Sequence, residues 1–250
     1  MPLWGMRDMR FDANHVLKRF PKAREPLPEA YREIYSAHYL RNREGKTQAT
    51  SLSMKLERWL HHAVAADVMN SDLDVPTLEI GAGTLNQLPY EPGIRTYDIV
   101  EPFVELYRHS PHLSRIRNKY LDISEITENR YRRITSVAVF EHIEDLPAVV
   151  TRAARLLEPG GAMRISIPNE GTFLWRLGTY ITGHEYKKMY GLDYQVLMRF
   201  EHLNTADEIE AVMRYFFRKV RVKFFGIHKK VALYRFLECK EPIPERAKMS

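Results

Sequence analysis

The apolar residues of this chain recur with two different periods, and the first of them is helical. From Ser51 onward they stand three and four positions apart, which predicts an amphipathic helix. Residues 28–43 also have helical character, whereas the rest of the first 48 residues mixes proline with arginine and lysine. We therefore interpret residues 1–70 as an N-terminal extension that contains helices. The apolar positions of the helix after Ser51 are Leu52, Leu56, Trp59, Leu60, Ala63, Val64 and Val68.

Beyond the extension, short apolar runs alternate with helix-like or turn-rich segments. Strands that alternate with crossover segments predict a parallel, doubly wound α/β sheet. The clearest crossover helix begins at Asp145, a good cap, and is expected to end at Pro159-Gly160-Gly161. The predicted strands lie at 77–80, 94–100, 116–121, 134–140 and 163–167.

The pattern changes after the fifth strand. Gly171 to Leu203 is rich in tyrosine, glycine and charge, and it is long for a connection, so it predicts a lid or substrate loop. Thr205 and Glu208 then form a capping box that starts another helix. The runs 220–225 and 231–237, with a turn at Gly226, predict an antiparallel hairpin. The main domain is thus expected over 71–241, with the lid insertion at about 171–203, and 242–250 form a tail.

Composition narrows the class of protein. The 250 residues are 44% hydrophobic and 28% charged, with a net charge of +6, which is typical of a globular protein and excludes disorder, collagen and coiled coil. No apolar run approaches the roughly 18 residues of a membrane span. The single cysteine, Cys239, excludes an internal disulfide or a thiolate metal cluster. We expect a cytoplasmic protein without a metal site.

Two features at the ends of the first two strands indicate a nucleoside ligand. Gly81 and Gly83 follow the first strand, where glycines let a ligand approach the backbone. Two residues disfavour a diphosphate ligand. Asn86 replaces the third glycine of the dinucleotide fingerprint, and Pro89 follows soon after it. Glu101 ends the second strand and can accept hydrogen bonds from ribose hydroxyls. Asp98, in mid-strand, is the weaker candidate because it would be buried.

Five segments in order resemble the class I S-adenosylmethionine-dependent methyltransferases. The resemblance implies a Rossmann-like fold with a seven-stranded sheet, whose antiparallel last strand the hairpin would supply, and S-adenosylmethionine as the cofactor. Leu85 stands where many members of that family have a third glycine. The segments are 78–84, 97–102, 120–124, 139–143 and 155–169.

The resemblance also implies roles for single residues. The methionine portion of the cofactor would lie against Glu79, Gly81, Ala82 and Gly83, and the ribose against Glu101 and Pro102. The adenine would be read by Asp122 and Ile123, and the reactive end of the cofactor would lie near Phe140, Glu141 and His142. Taken alone, Asp122 also suits a helix cap, and Glu141 and His142 a solvated strand end.

Three histidines are candidates for a general base. Methyl transfer from a sulfonium is an in-line displacement, so the protein mainly aligns the reactants and excludes water. An alcohol acceptor must also lose its proton, which a neutral imidazole can take. His142, His184 and His202 are each expected in a loop at the carboxyl edge of the sheet, and each also suits a structural role. His202 ranks first because it ends the lid.

The predicted hairpin is strongly basic. Residues 218–240 contain eight lysines and arginines against a single acidic residue, Glu238. Such a surface suits RNA or an anionic membrane, but lysines also protect an edge strand from aggregation. We expect methyl transfer to an oxygen atom of a small molecule or a glycan intermediate. An RNA methyltransferase, a nicotinamide-dependent oxidoreductase and a non-catalytic cofactor-binding scaffold are the alternatives, and the oligomeric state stays open.

Overall fold

A computed structural model describes residues 13–34, 58–70, 74–128, 130–226 and 228–247. These residues form one seven-stranded sheet with helices around it. The strands are β1 (Thr77–Ile80), β2 (Tyr97–Val100), β3 (Lys119–Tyr120), β4 (Tyr131–Val137), β5 (Leu157–Pro168), β6 (Phe217–Phe225) and β7 (Tyr234–Pro242).

The strand order is β3-β2-β1-β4-β5-β7-β6. Neighbours from β3 to β5 pair in parallel, whereas β7 is antiparallel to both β5 and β6. The predicted doubly wound sheet with an antiparallel last strand is therefore confirmed. The chain runs outward from β1 through β2 to β3, and then returns to place β4 on the other side of β1. Ligands bind outside the carboxyl ends of the strands at such a reversal.

The helices are bounded by the caps that their sequences supply. Asp145 accepts a hydrogen bond from the Ala148 amide at the start of one helix, and Thr205 and Glu208 form the predicted capping box at the start of another. The described parts of two further helices lie at 29–34 (α2) and 58–65 (α3). The remaining bounds are α1 (Ala13–Leu17), α4 (Val104–Tyr107), α5 (Leu146–Leu156), α6 (Phe173–Tyr190), α7 (Tyr194–Glu201), α8 (Ala206–Phe216) and α9 (Pro244–Ala247).

Several predicted boundaries were wrong by a few residues. Helix α5 ends at Leu156, and the Pro159-Gly160-Gly161 segment lies within β5 instead of ending the helix. The strand accommodates it with a register shift against β4, and a Cβ on Gly161 would lie 2.9 Å from the Arg132 carbonyl oxygen. Strand β4 ends at Val137, since Ala138 has a φ of 52°.

The segment 171–203 contains a pair of helices and is therefore not an irregular loop, whereas its role as a lid stays a prediction. Thr172 caps α6 through the Trp175 amide, and Asp193 caps α7 through the Gln195 amide. Gly191, with a φ of 72°, allows the turn between them. The tyrosines that suggested a loop form part of a small core: Leu27, Tyr31, Tyr186 and Leu197 are buried together. We call α6, α7 and their turn the helical hairpin.

The N-terminal segment packs at the same edge of the sheet. Lys22 bonds the Leu203 carbonyl at 2.6 Å and the Glu208 carboxylate at 2.9 Å. Arg24 donates to the His142 carbonyl at 2.7 Å. Parts of the helices predicted at 28–43 and from Ser51 onward lie outside the described residues. Within the described residues, no helix is both long and apolar enough to cross a membrane.

A buried ionic network that the sequence did not suggest joins α3 to the sheet. Arg133 in β4 is 1% exposed and bonds both oxygens of Glu91, at 2.8 and 2.7 Å. It also donates to the Val64 carbonyl at 2.8 Å. Removing one partner of such a pair leaves a buried charge uncompensated. The network therefore holds β4 against α3.

Candidate active site

The loop after β1 has the backbone that its glycines were expected to permit. Gly81 has a φ of 74°, and a Cβ there would lie 2.4 Å from the Val139 side chain. The loop after β1 can therefore lie directly against the loop after β4. Leu85 has a φ of 67° and is fully buried. A leucine therefore adopts the left-handed conformation at the position where many members of the resembled family have a third glycine. This conformation costs about 1 kcal/mol, and the packing of Leu85 offsets it.

Glu101 joins the loops after β1 and β2. It is 5% exposed, its Oε2 accepts from the Gly83 amide at 2.8 Å, and its Oε1 accepts from the Phe103 amide at 3.0 Å. An ionised carboxylate has about four lone-pair sites. Both oxygens therefore keep acceptor capacity for the hydroxyls of a ligand beside the glycine loop.

Asp98 has a structural role, as its predicted burial implied. It is fully buried, and Arg117 bonds its two oxygens at 2.9 and 2.6 Å. The Tyr131 hydroxyl donates to it at 2.7 Å. Burial acts to raise the pKa of Asp98, but these hydrogen bonds outweigh it and lower the pKa. Asp98 is occupied in holding β2, β3 and β4 together.

Exposed apolar side chains flank the ends of β2 and β3. Phe103 is 63% exposed and Leu121 is 53% exposed. Asp122 follows Leu121, is exposed, and accepts from the Ser124 amide at 2.8 Å. Hydrogen bonding by the Ser124 side chain, and then by its amide, lowers the pKa of Asp122. Ile123 is buried. The capping role of Asp122 is therefore present, and its role toward an adenine stays a prediction.

The Glu79 side chain is buried near the ionic network formed by Arg133 and Glu91. It is 2% exposed, and the Tyr97 hydroxyl donates to its Oε2 at 2.9 Å. Burial, and then the charge of Glu91, raise its pKa well above the ordinary value. Its predicted contact with the methionine portion of a cofactor stays a prediction.

The turn after β4 contains a buried carboxyl group. Phe140 is fully buried and Glu141 is 2% exposed. The Oε2 atom of Glu141 has no hydrogen-bond partner among the described residues. Burial raises the pKa of Glu141 to about 8, so the side chain is mostly protonated at neutral pH. The predicted solvated strand end is therefore wrong for Glu141.

Two of the three candidate histidines lie together. The His142 and His202 ring centroids are 4.8 Å apart with the planes nearly perpendicular. His142 Nδ1 contacts the Glu201 carbonyl at 2.8 Å, and His202 Nδ1 contacts Glu170 Oε1. His184 is exposed on α6, so its prediction as a loop residue at the sheet edge was wrong.

The environment of His202 keeps its imidazole neutral. Burial, followed by the nearby His142 and Arg24, lowers the pKa of His202 to about 3. The Glu170 carboxylate against Nδ1 acts in the opposite direction, because it stabilises an imidazolium. When Nδ1 donates its proton to Glu170, the lone pair of Nε2 is available as a base.

A cavity of about 490 Å³ opens between α6 and α7 and includes His202 in its lining. Neither Glu170 nor Trp175 was singled out from the sequence, although both follow β5, where ligands were expected. The helical spacing of the α7 residues could have suggested a common face. The lining residues are Glu170, Gly171, Trp175, Arg176, Thr179, Tyr180, Gln195, Met198, Arg199 and His202.

Comparison with known families identifies the class of enzyme to which the chain belongs. The sequence profile of a family described as "Methyltransferase domain" matches residues 52–216. The chain belongs to this methyltransferase family. S-Adenosylmethionine is its cofactor, and the expectation of a class I enzyme is confirmed.

Solved structures agree on the fold. One is an O-methyltransferase family protein from Burkholderia thailandensis, with 18% identity and a TM-score of 0.53. Another is human N-acetylserotonin methyltransferase in complex with SAM, with 13% identity and a TM-score of 0.54. The alignments cover 92% of this chain and 68% and 66% of those two chains. No curated protein matches the sequence.

The glycine loop and its surroundings fit the nucleoside of the cofactor. Gly81 leaves no side chain between the loop and β4, and Glu101 keeps acceptor capacity beside Gly83. Phe103 and Leu121 expose apolar surface of the kind that a planar base covers. We propose that Glu101 and Pro102 bind the ribose and that the segment around Asp122 binds the adenine.

The basic hairpin of the methyltransferase is an edge structure with partly neutralised charge. β6 is the last strand of the sheet and pairs only with β7 among the described residues. Lys219 pairs with Glu241, Lys240 pairs with Glu238 at 3.0 Å, and Lys229 pairs with Asp207 at 2.8 Å. These contacts favour protection of the edge strand over a nucleic-acid footprint.

The buried carboxyl of Glu141 leads to a prediction about stability. The folded enzyme retains this proton to about pH 8, whereas the unfolded chain loses it near the ordinary pKa of 4.5. The free energy of unfolding therefore falls as the pH rises between these values. Between pH 6 and pH 8, we expect the free energy of unfolding of the parent to fall by about 2 kcal/mol, and we expect Glu141→Gln to lack this decrease. Urea unfolding of both proteins at the two pH values measures it, and an equal fall in the variant would contradict the protonated state.

Proposed function

We propose that this enzyme methylates a hydroxyl group of a small molecule or glycan intermediate held in the cavity of the helical hairpin. The observation that supports the proposal is the contact between His202 Nδ1 and Glu170 in the lining of that cavity. A cavity of about 490 Å³ lies in the range of pockets that take small ligands. It suits one or two rings better than an extended polymer.

The chemistry of the pair suits an alcohol acceptor. Bound S-adenosylmethionine supplies a methyl group on a sulfonium, which the acceptor oxygen displaces in line. The hydroxyl proton must leave at or near the transition state, and neutral His202 can accept it at Nε2. Glu170 fixes the imidazole tautomer through Nδ1 and stabilises the imidazolium that results. A neutral amine acceptor attacks through its own lone pair and needs no such base.

An RNA acceptor is the second candidate. Arg221 and Lys223 of β6 are exposed and could contact phosphates. However, Arg235 in the same hairpin is 2% exposed and bonds Asn169 and Glu210, and three of the lysines form the ion pairs described above. The charge available to a nucleic acid is therefore reduced, and the small acceptor is favoured.

Matched acceptors test the proposal. A panel of phenols and sugars, each with an amine analogue of the same skeleton, is incubated with enzyme and S-adenosylmethionine. Formation of S-adenosylhomocysteine and the mass of the product are measured. We expect methylation of hydroxyl members and little of their amine analogues. Methylation of the amines alone, or of RNA with a rate that falls steeply with salt, would reject the proposal.

A further inference from the structure

The acceptor cavity contains two arginines that have no acidic partner among the described residues. Arg176 belongs to α6 and Arg199 to α7, and both line the cavity and are exposed. Within the part of the chain that the structure describes, neither guanidinium forms an ion pair or a hydrogen bond. Other arginines of the chain are engaged: Arg133 bonds Glu91 at 2.7 Å, and Arg117 bonds Asp98 at 2.6 Å.

The two arginines face the cavity because of helical spacing. Gln195, Met198, Arg199 and His202 are separated by three, four and seven positions, which places them along one face of α7. Arg176 lies between Trp175 and Thr179 on the facing part of α6. The cavity is thus bounded by two helix faces, and each contributes one cation.

Among the residues that the structure describes, one acidic side chain lines the cavity, so it offsets the charge of only one of the two guanidinium groups. Glu170 is the acidic residue of the lining, and its Oε1 contacts His202. His202 itself is neutral because burial lowers its pKa to about 3. The cavity therefore retains a positive charge in a partly enclosed space, where charges interact more strongly than in open water.

We propose that the acceptor carries an oxyanion, a carboxylate or a phosphate, which Arg176 and Arg199 bind while its hydroxyl faces His202. Guanidinium groups bind both anions through paired hydrogen bonds. The proposal names the substrate class of the hydroxyl methylation proposed above and rests on it. Residues three apart on a helix have Cβ atoms about 5–6 Å apart, so Arg199 and His202 can bind groups at opposite ends of one ring. Trp175, whose ring centroid is 6.0 Å from that of His202, can cover the ring between them.

Matched acceptors that differ only in charge test this proposal. The probes are 4-hydroxybenzoate, its neutral methyl ester and 4-hydroxyphenyl phosphate. Their affinities are measured by calorimetry in the presence of S-adenosylhomocysteine, and turnover is measured with S-adenosylmethionine. Comparison of the carboxylate with the phosphate shows which of the two anions the cavity binds. We expect at least one of them to bind about tenfold or more tightly than the ester.

Variants then show which side chains make the discrimination. In the double variant Arg176→Gln, Arg199→Gln, the preference for the anion is expected to disappear, while the affinity for S-adenosylhomocysteine stays within a few-fold. Lys188→Gln is the matched control, because Lys188 is an exposed cation of α6 outside the cavity lining. It is expected to retain the preference.

The outcomes separate this inference from the proposed function. Equal binding of ester and anions, no binding of either anion, or a preference that survives in the double variant would overturn the anionic acceptor. Hydroxyl methylation without that preference rejects the anion alone. An anion preference that the double variant abolishes, together with methylation of amine analogues instead of hydroxyls, supports the anion site and rejects the O-methylation.

Discussion

His202→Ala is expected to lower methyl-transfer turnover about 100-fold or more, the usual scale of a general base. Its affinity for S-adenosylmethionine is expected to stay within a few-fold of the parent. The reason is geometric: His202 lies in the proposed acceptor cavity with Nδ1 on Glu170, whereas the glycine loop and Glu101 lie at the ends of β1 and β2. Removing the imidazole therefore affects the acceptor proton and leaves the cofactor contacts in place.

Turnover with the best acceptor of the panel and a cofactor titration are compared on the same preparation. His184→Ala is the matched control, since it removes an exposed histidine of α6 outside the cavity lining, and its turnover is expected to equal the parent's. Unchanged turnover of His202→Ala would exclude His202 as the base. Loss of cofactor binding would instead place His202 on the cofactor side of the pocket.

Glu101→Ala is expected to weaken cofactor binding by about 1.5 to 3 kcal/mol, the scale of hydrogen bonds to a charged group. Two effects contribute. The substitution removes the carboxylate proposed to bind the ribose, and it frees the Gly83 and Phe103 amides that hold the two loops in register. The fold is expected to stay intact without cofactor, because these contacts join two loops and not the strands of the sheet.

A thermal-shift titration with S-adenosylhomocysteine measures the effect, since saturation of the native state at a hundredfold excess over Kd stabilises it by about 2.7 kcal/mol. Asp98→Asn is the contrasting variant. It disturbs a fully buried carboxylate bonded to Arg117 and Tyr131, so it should lower stability and leave the affinity of the folded protein nearly unchanged. If Asp98 controlled affinity instead of Glu101, the assigned end of β2 would be wrong.

The parts of the fold that could be predicted are those with a strong local pattern. The predicted β1 has the same ends as the observed strand, because a short apolar run stands directly before the glycine loop. The capping box at Thr205 was predicted because its hydrogen bonds join residues three positions apart. The helical hairpin was not predicted, because its tyrosines look like loop residues until Leu27 and Tyr31 of the N-terminal segment cover them.

The candidate site likewise has features that the sequence predicts and features that only the structure shows. Gly81, Gly83 and Glu101 follow strands at fixed positions, so the sequence was enough to place them at one edge of a doubly wound sheet. Leu85 was identified as a departure from the family, but only the structure shows that it adopts the glycine-like φ of 67°. The burial of Glu141, which raises its pKa to about 8, also depends on the segment that follows α7.

The sequence by itself determined the fold class and the cofactor. The fold class follows from the hydrophobic period, and the cofactor follows from the resemblance of five ordered motifs to a known family. Only the tertiary structure shows which of the three candidate histidines lie together and which one is exposed. Glu170 and His202 are 32 residues apart, and His142 and His202 are brought together by the return of α7 to the end of β4. The physical reason is that a base is defined by its distance to a partner and its burial, and both arise from contacts between segments that no local pattern encodes.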